Sequence, residues 1–258
     1  MKVSLNWVRQ FTDVNMPVEK LVEKIGAQLG AVEEVVDLGK RYEGALVVRV
    51  VDCLKHPEAD KLYLCRIDDG GVKKKLPRDR EDLVQVVCGA ANVRAGMLAV
   101  WLPPGMIVPA TYGREEQLLA AKEIRGVLSQ GMLASPKELD FHDDHEGLLT
   151  IDEDIAPGSS FAKAFKLDDH IIDIENKMFT HRPDLFGILG IAREIAGIQG
   201  QKFHSPAWYL DGKAAGRIKG AGLPLSVKNE IPRLVPRFCA VSISGVRVGP
   251  SPLWLQSY

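Results

Sequence analysis

The spacing of apolar residues changes along the chain, and each change predicts a different kind of element. In residues 16–30, MPVEKLVEKIGAQLG, the apolar positions Val18, Leu21, Val22, Ile25 and Leu29 recur at three- and four-residue steps. That spacing puts them on one face of a helix. Pro17 suits the first helical turn, where its missing N–H is not needed. Gly30 is expected to stop the helix in the left-handed conformation. Before the helix, residues 3–11 (VSLNWVRQF) form a short segment with two aromatics. After it, residues 31–39 (AVEEVVDLG) read as a strand ending in a glycine.

From about residue 44 to 150 the period shortens. GALVVRVVDCLKH (44–56) and LYLCRIDDGG (62–71) are strand-like, the second ending in a diglycine turn. GVKKKLPRDRED (71–82) reads as a charged, solvated loop. LVQVVCGAANVRAGMLAVWLPPG (83–105) holds two strand-like runs around a small polar turn. IRGVLSQGMLAS (124–135) closes the set, with two glycines that let a strand bend or another backbone approach. Short strands at this spacing predict a small closed five-stranded β-barrel of the size of an oligonucleotide-binding (OB) barrel. Beyond 150 the helix–strand mixture returns. HIIDIEN (170–176) reads as a buried strand. HRPDLFGILGIAREIAGIQGQ (181–201) reads as a turn and a helix, capped by Asp184, with Leu185, Ile188, Leu189, Ala192, Ile195 and Ala196 inward. Residues 211–222 (DGKAAGRIKGAG) look like a linker. Residues 223–258 start two further strands and end in PLWL, so the 258 residues are expected to be a fragment.

Composition narrows the function classes. Hydrophobic residues make up 46% and charged residues 26%, a water-soluble globular profile. No apolar run approaches the roughly 18–20 residues of a membrane span. MKVSLNWVRQFTD lacks the apolar core of a signal peptide. Cys53, Cys65, Cys88 and Cys239 have no CxxC spacing and lie in or beside apolar runs. They read as reduced and mostly buried, which points to the cytoplasm. HDDH (142–145) lacks further ligands at metal-site spacing, so no metal site is assigned. No phosphate loop or nucleophile elbow is present, so no residue takes a catalytic role. Net charge is −1, and residues 40–150 hold 16 lysines and arginines against 17 aspartates and glutamates. Such a balance gives no bulk attraction to nucleic acid.

Five stretches carry a resemblance: HPEADKL (56–62), VVCGAANVRAG (86–96), LPPG (102–105), KEIRGVLSQGM (122–132) and DDHEGLL (143–149). Together they resemble the tRNA-binding OB domain found beside several aminoacyl-tRNA synthetases. The flanks narrow it. VSLNWVRQF with the helix and GAVEEVVDLG, then IDIENKMFTHRPDLFGILGIAREIAGI (172–198), then PRFCAVSISGVRVGPSPLWLQ (236–256), resemble in order the bacterial phenylalanyl-tRNA synthetase β subunit. The KMFTHRPD segment departs from the usual lead-in, and the 71–82 loop is longer than usual. The resemblance implies an α+β chain: a five-stranded OB-type barrel (41–150) inserted into a small mixed domain made of 1–40 and 151–200. A linker (201–222) and the truncated start of an editing-type domain (223–258) follow. It implies a cytoplasmic ligase that attaches phenylalanine to its tRNA with ATP and magnesium, as an (αβ)2 assembly with an α subunit. This piece holds no cofactor and is expected to be inactive alone. Two other roles stay open: a freestanding tRNA-binding protein, and a structural spacer.

Within these motifs the residue types suit RNA. His56 is placed to stack on a base and Lys61 to meet a phosphate. Lys122 and Arg125 supply cations, while Ser129 and Gln130 suit a base or sugar edge. Asn92 and Arg94 sit in a glycine-bounded turn. Each has a structural alternative: a turn that sets strand register, barrel closure, or an ordinary polar turn. The balanced charge predicts weak, salt-sensitive tRNA affinity, about 10⁻⁴–10⁻⁶ M.

Overall fold

The computed structural model describes residues 1–210, 223–249 and 251–256. The chain divides into two compact units, Met1–His204 with Leu253–Tyr258, and Ser205–Pro252. In chain order the first unit begins with strand β1 (Lys2–Ser4), helices α1 (Leu5–Val8) and α2 (Val18–Gln28), strand β2 (Val32–Asp37) and helix α3 (Leu38–Arg41). Strands β3 (Leu46–His56), β4 (Ala59–Asp68), β5 (Val84–Cys88), β6 (Leu98–Leu102), β7 (Lys122–Ile124), β8 (Val127–Ser129) and β9 (Met132–Leu133) follow. Helix α4 (Phe161–Ala164), strand β10 (His170–Ile174) and helix α5 (Ile188–Gln199) complete it. The fold is mixed α/β with open sheets.

One three-stranded antiparallel sheet has the order β1-β10-β2. Its centre is therefore the strand that comes last in sequence. Val3, Ile172 and Ile174 turn inward and meet Leu21 and Ile25 of α2 and Ile191 and Ile195 of α5. The helical spacing read from 16–30 is realised here, with Leu21 and Ile25 fully buried. Asp169 ties β1 to β10: its carboxylate accepts from the Asn6 and His170 backbone N–H at 2.8 and 2.7 Å and from the Ser4 hydroxyl. Ser4 in turn caps α1 by accepting from Trp7 N–H at 3.0 Å. Asp169 is thus a buried anchor.

Two glycine and capping expectations are corrected. Gly30 is not among the residues with positive φ. It is needed because a Cβ there would lie 2.8 Å from the Glu175 carbonyl oxygen. Asp184 does not cap α5, whose N-cap is Gly187. Its carboxylate is taken by Arg182, at 3.0 Å from Nε and 2.8 Å from Nη2.

The second sheet is antiparallel with the order β5-β4-β3-β6-β9. The first half of β3 is apolar on both sides. Leu46, Val48 and Val50 face a core with Cys65, Ile67, Val84, Val86 and Trp101. Val47 faces another with Val100, Leu102, Leu139, Phe161 and Phe165. That explains the unbroken apolar run at 45–48, which a one-sided strand would interrupt. The expected closed barrel is not formed: β5 and β9 are the free ends of the sheet order. Where a closing ladder would run, the Ser129 hydroxyl takes the Val87 N–H at 3.0 Å, and a single backbone bond joins Gln130 N–H to the Gln85 carbonyl at 3.0 Å. A side chain occupying a ladder position interrupts strand pairing.

The second unit carries helix α6 (Ala207–Leu210). The linker expected at 211–222 lies outside the described residues. The two strands expected after residue 223 do not form among the described residues. Leu225, Val227, Ile231, Leu234, Phe238, Val241 and Ile243 are exposed there. Strand-like sequence without a neighbouring strand or a surface to bury against has nothing to hold it extended. Helix α7 (Leu253–Gln256) belongs to the first unit, where Leu253 is buried against the Phe161 core.

Candidate nucleic-acid interface

The site expected from sequence is built on two hairpins. His56 ends β3 and pairs across to Ala59, so Pro57 and Glu58 form the turn. The other hairpin joins β7 to β8 through Arg125 and Gly126, with φ of 48° and 78°. Two consecutive positive φ values are the hairpin-turn signature that suits strand twist, and glycine carries one of them without strain. The hairpins are locked together. His56 Nδ1 accepts from Glu58 N–H at 3.1 Å. The ring proton is thereby assigned to Nε2, which donates to the Ile124 carbonyl at 3.2 Å. Arg125 Nη1 donates to the Glu58 carbonyl at 2.9 Å. His56 is 4% exposed, so its ring is committed to this junction and presents no face for a base.

The segment after β8 is fixed just as firmly. Ser129 accepts from Val87 N–H and donates to the Gly131 carbonyl at 2.9 Å. The Gln130 carbonyl accepts from the Trp101 indole N–H at 2.8 Å. Gly131 has φ of 74°, and a Cβ there would collide with the Leu102 carbonyl oxygen. Asn92 is a staple: its Oδ1 accepts from Leu148 N–H at 2.8 Å and its Nδ2 donates to the Leu148 carbonyl at 3.0 Å. The eight candidate residues thus separate by exposure. Lys61, Arg94, Lys122 and Arg125 are exposed; His56, Ser129 and Gln130 are buried, and Asn92 is half-buried. Lys61, Lys122 and Arg125 belong to the locked hairpins. Arg94 stands on the separate 89–97 turn, where it donates to the Asn92 carbonyl at 3.4 Å.

The 71–82 segment is the expected charged loop, most of it exposed, and one arginine anchors it. Arg78 forms a two-oxygen ion pair with Asp69, at 2.8 and 2.9 Å, and Asp69 is fully buried. Asp69 also accepts from the Gly71 and Lys73 backbone N–H. Arg66 on β4 reaches Asp52, and Asp79 and Glu81 each at 3.0 Å. The Leu83 backbone N–H, followed by the Arg66 guanidinium, holds the Asp79 carboxyl below the usual carboxylate range. Among the described residues no cluster of His, Cys, Asp or Glu is arranged to hold a metal.

Sequence reading missed one feature of this end of the sheet. Arg66, Pro77, Arg78, Asp79, Leu83, Gln85, Leu128 and Gln130 line a pocket of about 250 Å³. The one signal for it in sequence is the polar Gln85 inside the apolar run LVQVV.

Residues 46–160 match the family described as putative tRNA binding domain. The phenylalanine–tRNA ligase beta subunit of Rhodopseudomonas palustris is 37% identical over 257 residues, covering 99% of this chain and 29% of that protein. The phenylalanine–tRNA ligase beta subunit of Moorella thermoacetica is 34% identical over 264 residues, covering 100% of this chain and 30% of that protein. The chain thus spans about three tenths of the length of these relatives. Among solved structures, a MetRS related protein from Pyrococcus horikoshii matches with 20% identity, 45% of this chain, 85% of that chain and a TM-score of 0.30. At that score the likeness carries no weight for the fold.

Proposed function

We propose that this chain, whose homologues are phenylalanine–tRNA ligase β subunits and which carries a tRNA-binding domain, is the tRNA-contacting and assembly module of such a ligase. One observation carries the reading: the similarity to those β subunits runs over 99% of the chain, flanks included. A freestanding tRNA-binding module would account for residues 46–160 but not for the flanks. The complete ligase would attach phenylalanine to its tRNA using ATP and magnesium, in the cytoplasm, as an (αβ)2 assembly with an α subunit. No step of that reaction is assigned to residues of this chain, and alone it is expected to show no phenylalanine-dependent ATP–pyrophosphate exchange.

In this reading the 41–150 segment is an OB-type module carried by a small domain of residues 1–40 and 151–200. The pairing of β10 with both β1 and β2 supports that grouping. Residues 201–222 act as a linker, and 223–258 as the first part of an editing-type domain. Lys61, Arg94, Lys122 and Arg125 meet phosphates. His56, Asn92 and Ser129 hold the turns from which those cations project, and Gln130 faces a base.

A second reading, a rigid spacer with no RNA contact, is favoured by the near-equal charges of residues 40–150. The two are separated by titrating labelled tRNA into the chain at low and high salt, alongside co-purification with the α subunit of the same genome. Salt-sensitive binding that weakens in Arg125→Ala supports the RNA contact. A folded chain that binds no tRNA at low salt yet co-purifies with the α subunit makes the module a spacer.

A further inference from the structure

The Gln130 side chain is out of keeping with its surroundings. The residue is 3% exposed. Its backbone N–H and carbonyl are both bonded, to Gln85 and Trp101. Its side-chain oxygen is buried without a hydrogen-bond partner among the described residues. Buried amides are normally bonded, and an exception calls for a reason. Gln130 is one of the residues that line the 250 Å³ pocket between β8 and the 71–82 segment. A spacer would serve as well with an apolar side chain at this place.

The rest of the wall defines what fits. Pro77, Leu83 and Leu128 are apolar, and Leu128 is half out of the fold. Gln85 stands beside Leu128, donating from Nε2 to the Leu128 carbonyl at 2.9 Å. The guanidiniums of Arg66 and Arg78 also line the pocket. Their charge is more than matched, because Asp52, Asp79 and Glu81 pair with Arg66 and Asp69 pairs with Arg78. Asp82 also stands 3.6 Å from Arg78, so two cations face five carboxylates, which repel an added phosphate. The volume lies below the roughly 300–1,000 Å³ that holds a drug-sized ligand, so the occupant is about one ring system. A flat, neutral, polar ring with a hydrogen-bonding edge meets all three conditions. Guanidinium planes and proline are stacking surfaces, and a glutamine amide complements a base edge.

We propose that this pocket receives one unstacked nucleobase of the bound RNA, with the Gln130 amide reading its edge and Leu128 and Pro77 as walls. The inference rests on the reading of residues 46–160 as an RNA-contacting module. It adds a base contact, insensitive to salt, to phosphate contacts that are sensitive to it. Because the 71–82 segment supplies Pro77, Arg78 and Asp79 to the wall, the pocket belongs to the part of the chain where the loop is long.

The test uses the whole chain and two probes, tRNA and free nucleosides. Gln130→Met keeps the side-chain length and removes the amide. Leu128→Trp fills the mouth from an exposed position and leaves the Gln130 region intact, so it tests the pocket if Gln130→Met folds poorly. Adenosine and uridine are titrated at millimolar concentration while the glutamine side-chain amide signals are followed by NMR, the Gln130 signal being identified by its loss in Gln130→Met. The expected result is movement of the Gln130 and Gln85 signals. With it should come about tenfold weaker tRNA binding in both variants, with an unchanged salt dependence; tenfold is about 1.4 kcal/mol. Native tRNA affinity in both variants overturns the proposal and leaves the tRNA reading standing. Nucleoside shifts without any tRNA binding keep the pocket and sink the tRNA reading. Unmoved amide signals together with unaltered variants sink the pocket outright.

Discussion

His56 and Lys61 lie five positions apart in one motif, yet they answer to different forces. Removing the His56 ring would leave the Glu58 N–H and the Ile124 carbonyl unpaired in a part-buried junction. His56→Ala is therefore expected to lower stability by about 2 kcal/mol, read from urea unfolding. Lys61 is exposed, so Lys61→Ala should stay within about 0.5 kcal/mol of the parent while weakening tRNA binding at low salt. A result in which His56→Ala is as stable as the parent would contradict the junction. Tyr42 gives a pH signature. Its hydroxyl donates to the Leu139 carbonyl at 2.8 Å, and burial pushes the phenol up to about 12. The unfolded chain ionises it near 10. The folded value is the higher one, so the stabilisation is complete below about pH 10 and is lost as the pH rises through about 12. Tyr42→Phe should thus lose less stability than the parent between pH 10 and 12. Melting temperatures measured across that window decide it, and parallel losses would refute the assignment.

At the scale of elements, glycines separate two kinds of turn. Gly126, φ 78°, sits at a hairpin tip with open space where a Cβ would go, whereas Gly131, φ 74°, abuts the Leu102 backbone. Gly126→Ala should cost about 1 kcal/mol, the strain of a left-handed alanine. Gly131→Ala adds a collision with fixed backbone and should cost several times more; equal melting temperatures would remove the distinction. This contrast also marks how far the sequence could be read. Periodicity found α2, β3 and β10 because burial on one or two faces writes itself into the order of residues. Val18, Leu21, Val22 and Ile25 needed no partner to be named. Closure of the second sheet was not legible, because it turned on one hydroxyl, Ser129, taking a ladder N–H. The capping role assigned to Asp184 failed because Arg182, also bonded to Glu194 at 2.7 Å, claims the carboxylate. Such choices depend on who stands nearby in space. The same holds at the site: lysine and arginine were readable as exposed cations, whereas the buried positions of His56, Ser129 and Gln130 were set by tertiary contacts.

For the molecule as a whole, charge limits affinity. Each neutralised phosphate contributes a slope of about 0.7 in log K against log salt for single strands. Four exposed candidate cations would give a total slope no steeper than about −3. A measured slope near −6 would mean that cations beyond these four, such as the exposed Lys74, Lys75 and Arg80, join the contact. A slope near zero would leave the base pocket as the main source of affinity. The order β1-β10-β2 has another consequence, in time rather than energy. A growing chain that has made β1, α2 and β2 holds two edge strands whose common neighbour has not been synthesised. That neighbour ends at Ile174, 137 residues after Asp37, which a ribosome adding about 5–20 residues per second supplies after on the order of ten seconds. During that interval Leu21 and Ile25 have neither Ile172 nor Ile191 to cover them. The intervening strands can pair with one another first, so the middle of the polypeptide acquires its shape while the beginning waits, open to whatever chaperone shields nascent apolar helices.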